Sequence, residues 1–168
     1  QKGQRIFYTY TAIPQSIGAD SIPYITIMQV NKVLTKEPVF VEDNDAKDYG
    51  TDPIEISGQS ISKAHLNLRY TFLNGGNHLI PHSISLLIAK DAQPDARGYL
   101  SAELRHDAAD DLQLNANSGY VSFTLENMPG FKEGTLKGFK IKTKTIKNET
   151  DIVEVTMNNN RKSMNFNI

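Results

Sequence analysis

Apolar and polar residues alternate with period two along most of this chain, the spacing a strand needs to bury one face and wet the other. Over 4–11, Ile6, Tyr8 and Tyr10 oppose Arg5, Phe7, Thr9 and Thr11, a β-branched and aromatic mixture that predicts a strand. Residues 22–31 continue the theme, with Ile22, Tyr24, Thr26 and Met28 on one face and Ile25, Ile27 and Gln29 on the other. Pro23 has no amide hydrogen, which places the start of that strand at an edge. A short run, Val39-Phe40-Val41, stops at the acidic stretch 42–48, whose lack of apolar period predicts a loop.

The clearest local signal spans 61–89. Ala64, Leu66, Leu68, Tyr70 and Phe72 share one face, and His65, Asn67, Arg69 and Thr71 share the other. Asn74-Gly75-Gly76-Asn77 tolerates positive φ, and 78–89 is apolar again, so the pattern predicts a hairpin. Pairing Phe72 with His78, Tyr70 with Ile80, Leu66 with Ile84 and Ala64 with Leu86 puts the best apolar positions on one face. That register also carries His78 and His82 to the apolar side.

After turn chemistry at 91–98, Leu100, Ala102 and Leu104 alternate as a strand. Leu100, Leu104, Ala108 and Leu112 also recur every four residues, so a helix competes there. The expectation is a strand to 105, then a short helical or irregular turn. Val121, Phe123 and Leu125 mark another strand. Over 135–146, Phe139, Ile141, Thr143 and Thr145 point inward and Lys140, Lys142 and Lys144 outward. Strands over Asp151–Met157 and Ser163–Ile168 complete the pattern. The predicted fold is mainly β: one antiparallel β-sandwich or barrel over 1–168, with about eight strands and at most one short helix.

Composition narrows the function classes. A hydrophobic fraction of 39% with 22% charged residues fits an ordinary globular domain. A net charge of −1 supplies no global field for nucleic acid, so no nucleic-acid partner is expected. No apolar run approaches the ~20 residues of a membrane helix. The absence of cysteine excludes disulfides, thiol catalysis and cysteine-ligated metals. The chain starts at Gln1, with neither an initiator Met nor a hydrophobic leader, which reads as a processed product. With many Asn, Ser and Thr and no Trp, the expected location is outside the cytoplasm: periplasmic, cell-surface or secreted.

Several groups carry candidate chemistry. Asp43, Asp45 and Asp48, beside Glu42, Asp52 and Gly50, could give carboxylate oxygens to calcium, the one cofactor weighed. Asp48 falls where an EF-hand loop needs glycine, and a solvated acidic loop is the plainer reading. Glu103, Asp107, Asp110 and Asp111, near His106, could divide acid and base roles as a carboxylate hydrolase acting on polysaccharide. The run 108–111 also resembles an exposed helix start, where Asp is favoured by the dipole. His78 and His82 have helical metal spacing, but on a strand they stand roughly 13 Å apart, so structural histidines are expected. Lys140, Lys142 and Lys144 could meet an acidic partner, or could discourage edge-to-edge sheet pairing. Nucleotide-binding and nucleophile motifs are missing, and no catalytic residue is assigned.

Stretches such as Thr143-Lys144-Thr145-Ile146-Lys147-Asn148 and Val155-Thr156-Met157-Asn158-Asn159 resemble exported, lipoprotein-type β-domains of gut Bacteroidetes. The resemblance is one of style along the whole chain and carries over no functional residue. It implies export and a binding or scaffold role. The function expected is therefore a non-catalytic binding or adhesion module with a protein or carbohydrate ligand. For a sugar, Tyr8, Tyr10, Tyr24, Tyr49, Tyr99 and Tyr120 would be the stacking faces.

Overall fold

The computed structural model describes residues 5–17, 23–42, 46–77 and 79–157. The chain divides into two compact units, 1–34 and 35–168. The first contains a two-stranded antiparallel ribbon, β1 (Ile6–Ile17) with β2 (Pro23–Lys32), in register from Ile6 opposite Lys32 to Ile17 opposite Pro23. Irregularities after Thr9 and after Ala12 shift that register. Tyr8, Tyr10, Tyr24, Ile27, Met28 and Val30 are all exposed on the ribbon. A lone two-stranded ribbon is at best marginally stable in water.

The second unit is built from two sheets. Between them stand the short strands β3 (Leu34–Lys36) and β4 (Val39–Val41), the 3-10 turn η1 (Ala46–Tyr49), β5 (Ile54–Ser62) and β6 (His65–Asn74) in the first half. The second half supplies β7 (Ser83–Ala89), β8 (Tyr99–Asp107), β9 (Asn115–Thr124), β10 (Gly138–Lys144) and β11 (Thr150–Thr156). One sheet has the order β3-β9-β6-β5 and the other β11-β10-β8-β7-β4. The period-two pattern sets which faces are buried. Leu66, Leu68 and Tyr70 of β6 and Val121 and Phe123 of β9 are buried together with Leu86 and Ile88 of β7, Leu100 and Leu104 of β8, and Phe139 and Ile141 of β10. Gly119 lies opposite Tyr70 in the β6–β9 ladder, and a Cβ there would overlap the Tyr70 phenol. The Thr143 hydroxyl of β10 donates to the Ile54 carbonyl of β5 at 2.5 Å, a buried bond from one sheet to the other.

Four expectations are corrected. The described residues hold eleven strands rather than about eight, in two open sheets and a ribbon rather than a barrel. The larger sheet is mixed: β10 runs parallel to β8, and β4 parallel to β7. In each case the chain leaves for the other sheet before returning, the crossover that parallel neighbours require. The 61–89 hairpin does not form. Strand β6 pairs with β5, Ile61 opposite Leu66, and with β9, whereas β7 pairs with β8 and β4 in the other sheet. Leu66 and Ile84 are both buried, as the alternation predicts, but they belong to different sheets. The Gly75-Gly76 loop therefore carries the chain across the sandwich. Finally, Lys140, Lys142 and Lys144 lie on β10, an interior strand between β8 and β11, so they guard no edge.

The 99–114 segment is a strand to Asp107 followed by a turn; Leu100, Leu104 and Ala108 are buried but Leu112 is exposed, and no helix forms there. The strand expected at 163–168 lies outside the described residues.

Leu66 is fully buried, so Leu66→Ala should cost about 2–5 kcal/mol in urea denaturation, while Lys147→Ala at an exposed turn stays within about 0.5 kcal/mol. Thr143→Val should cost about 1–3 kcal/mol by leaving the Ile54 carbonyl without its donor.

Candidate functional site

Two features of the sandwich carry organised chemistry. The first is a groove of about 560 Å³ on the outward face of the five-stranded sheet. Register builds it. Leu87 of β7 pairs with Val39 of β4 on one side and Glu103 of β8 on the other; Glu103 pairs with Lys142 of β10, and Lys142 with Ile152 of β11. One rank across the sheet thus runs from apolar through charged to apolar. Val41, Leu87 and Ala89 form an apolar end beside Ala46 of η1, and the small side chain of Ser101 keeps the floor low. Leu87 points outward yet is buried, because η1 packs against β7 and β8.

The charged wall has more cations than carboxylates to receive them. Glu103 Oε1 lies 3.1 Å from Arg105 Nε and 3.3 Å from Lys142 Nζ, so one oxygen serves two cations. The Arg105 contact is an ion pair without hydrogen-bond geometry at Nε. Arg105 also donates to the Gly50 carbonyl at 3.1 Å, and Lys144 donates to the Thr51 carbonyl at 3.1 Å. Lys140 is matched by Asp95 at 2.6 Å. That Lys140 bond, with the Tyr99 and Arg97 amides, holds the Asp95 carboxyl down at about 2.

The second feature is a buried chain of hydrogen bonds at one end of the sheets. His106 Nδ1 lies 3.0 Å from the Pro53 carbonyl, His106 Nε2 lies 2.9 Å from His82 Nδ1, and His82 Nε2 lies 3.1 Å from Asp111 Oδ2. A carbonyl only accepts, so His106 Nδ1 holds a proton; His106 Nε2 then accepts from His82 Nδ1–H. At the other end of the hydrogen-bond chain, His82 Nε2 faces the Asp111 carboxylate. Phe72 packs edge-on against both rings, at 5.2 and 5.3 Å between centroids. The Gly75 amide donates to Asp111 Oδ2 at 2.8 Å and the Leu112 amide to Oδ1 at 2.9 Å. The Gly75 bond above all, with His82 and Leu112 adding to it against the opposing effect of burial, keeps the Asp111 carboxyl below its ordinary range. Burial pushes the His106 imidazole below its ordinary value; the Pro53 bond opposes this and His82 reinforces it.

The sequence-predicted acids are dispersed by this geometry. Glu103 points into the outer groove, whereas Asp111 closes the histidine chain. Asp107 accepts from the Ala109 amide at 2.9 Å, and Asp52 from the Ala108 amide at 2.8 Å, both holding the turn after β8. Asp48 sits on η1 and is exposed; Asp43 and Asp45 lie outside the described residues. Among the described residues, no three His, Asp or Glu side chains converge on a metal position. His78 also lies outside them. His82 pairs instead with His106, a partner 24 residues away that no local spacing indicates. For the groove a signal did exist: Ile84-Ser85-Leu86-Leu87-Ile88 is buried on both faces, which an alternating strand with one wet face is not. Among the candidate tyrosines, Tyr8 and Tyr10 stack at 6.0 Å but are tilted by 42°, while Tyr99 is engaged by the Arg97 guanidinium.

The two-sheet sandwich belongs to a recognised family. Residues 37–157 match the NigD-like C-terminal beta sandwich domain, and the chain belongs to that family. Solved structures share the fold at low identity. A Bacteroides vulgatus protein of unknown function is 21% identical, with a TM-score of 0.76 over 98% of this chain and 76% of that one. A NigD-like immunity protein from Bacteroides caccae is 18% identical, with a TM-score of 0.64 over 90% and 70%. A protein described as a lipoprotein, from Bacteroides fragilis, is 11% identical, with a TM-score of 0.59 over 81% and 76%. No curated protein matches the sequence.

The histidine chain makes stability pH-dependent in a defined direction. With its folded value depressed, His106 resists a proton that the unfolded chain accepts below about pH 6.5, so stability falls as pH drops through that region. Asp111, also depressed, adds stability above its unfolded value of about 3.9 that is lost as pH falls further. Urea midpoints measured from about pH 8 to about pH 3 should decline in two stages, and His106→Gln should abolish the first while keeping the second.

Proposed function

We propose that this chain is an exported, non-catalytic protein-binding module of the immunity type, acting by capturing a toxic protein at the cell envelope. The observation that carries the reading is the preformed groove on the five-stranded sheet, with an apolar end and a charged wall. The outer face of the other sheet is different: Asn67 accepts from Ser122 at 2.9 Å and donates to Ser60 and Ser62, a local polar ladder. The Bacteroides caccae immunity protein that shares the fold supports a protein ligand, and the Bacteroides fragilis lipoprotein supports an envelope location. The commitment of Asp52, Asp107 and Asp111 to backbone amides favours binding over acid–base chemistry, because these carboxylates brace turns. The tilt between Tyr8 and Tyr10 favours a protein ligand over a sugar, which stacks on flat aromatic faces.

Expression in the envelope of a sensitive Bacteroides strain should raise survival when that strain is challenged with toxin-containing culture supernatants of its relatives. Unchanged survival across a panel of such supernatants, with the protein folded and present in the envelope, overturns the immunity reading.

A further inference from the structure

The groove is shaped for more than a generic apolar contact. Its rank of paired positions crosses five strands, from Val39 through Leu87, Glu103 and Lys142 to Ile152. Four inter-strand steps make that rank about 19 Å long, the reach of roughly six residues of extended peptide. Val41, Leu87 and Ala89 line its apolar end beside η1. The wall beside it is positive. Arg105 and Lys142 share the single oxygen Glu103 Oε1, and Lys140 is answered by Asp95. Lys142 keeps 52% of its side chain exposed and is free to turn toward a ligand. The opposite charge next to the mouth is partly spent, as Glu42 pairs with Lys90 at 3.0 Å, while Asp48 on η1 stays exposed.

We propose that this groove seats an extended acidic segment of the protein partner, with an apolar side chain filling the Val41–Leu87–Ala89 end and a carboxylate near it answering Lys142 and Arg105. The inference rests on the protein-binding reading above and names the chemistry it selects. In an extended peptide, residues i and i+2 point the same way about 6.8 Å apart, so a hydrophobic–any–acidic triplet spans from Leu87 to the reach of the Lys142 ammonium. The carboxylate relieves the sharing of Glu103 by two cations, and the apolar residue removes the exposed floor of Ala89 and Ser101 from water. A basic segment would instead add a cation to a wall already in excess.

The test uses amide chemical-shift mapping of the whole chain with the blocked peptide Gly-Leu-Ser-Asp-Gly and its counterpart carrying Lys for Asp. The acidic peptide should perturb Ser101, Glu103 and Lys142, weaken by about tenfold in the Lys142→Glu variant, and weaken with added salt. Ser101→Trp, at an exposed position on β8, should fill the floor and abolish the perturbations without unfolding the chain. Equal perturbation by the basic peptide, perturbations elsewhere, or none at millimolar acidic peptide would overturn the proposal. The two readings separate in the survival assay. If Ser101→Trp protects cells as the parent does, the partner docks elsewhere and the immunity reading stands; if the parent never protects, that reading fails whatever the peptides do.

Discussion

The C-terminal unit depends on the burial of the apolar faces of its two sheets in one core. Leu66 and Leu68 from one sheet and Leu100 and Leu104 from the other are excluded from water, with Phe123 and Phe139 filling the space beside them. Burying each such side chain is worth about 1.5–3 kcal/mol. Because inward and outward positions alternate strictly, that burial also decides what faces outward. Leu100, Ala102 and Leu104 going in leave Ser101, Glu103 and Arg105 going out, and on β10 Phe139 and Ile141 going in leave Lys140 and Lys142 going out. The groove floor and its charged wall are the reverse side of the core.

Facing two sheets requires the chain to cross between them, and the crossings are where its polar chemistry is buried. Pro53 precedes β5, Gly75 follows β6, His82 precedes β7, and His106 and Asp111 flank the end of β8. Each of these segments ends or begins a strand of one sheet near a strand of the other. The chain from the Pro53 carbonyl through His106 and His82 to Asp111 joins them, and Phe72 shields both rings. A partly satisfied polar chain in such a place would be costly, whereas a complete one specifies a single arrangement. Gly50 completes the corner: it turns with φ +73° against the backbone of His106 and Asp107, where a Cβ would have no room.

The same arrangement gives the two outer faces different chemistry. The β5–β6–β9 face ends in a polar ladder centred on Asn67, and the β10–β8–β7–β4 face presents the groove. On the groove side, the single oxygen Glu103 Oε1 faces two cations, Arg105 and Lys142, beside the apolar Val41 and Leu87.

By itself the sequence determined which faces are buried, because alternation depends on the strand alone. Leu66, Leu68, Tyr70, Leu100, Leu104, Phe139 and Ile141 were all legible as inward positions, and Lys140 and Lys142 as outward ones. It also carried the mainly β class and the likeness to β-domains of Bacteroides. It did not determine which strand each face meets. The 61–89 pattern is equally compatible with a hairpin and with two strands of opposite sheets, since both bury Leu66 and Ile84. Strand β5 was hidden because the irregularity between Ile56 and Gly58 shifts its phase. Only the tertiary structure brought His82 to His106 and Asp111, and placed Val41, Leu87 and Lys142 along one groove. These contacts join residues far apart in the chain through sheet order, and sheet order is decided by packing across the sandwich, which the period of a single strand does not record.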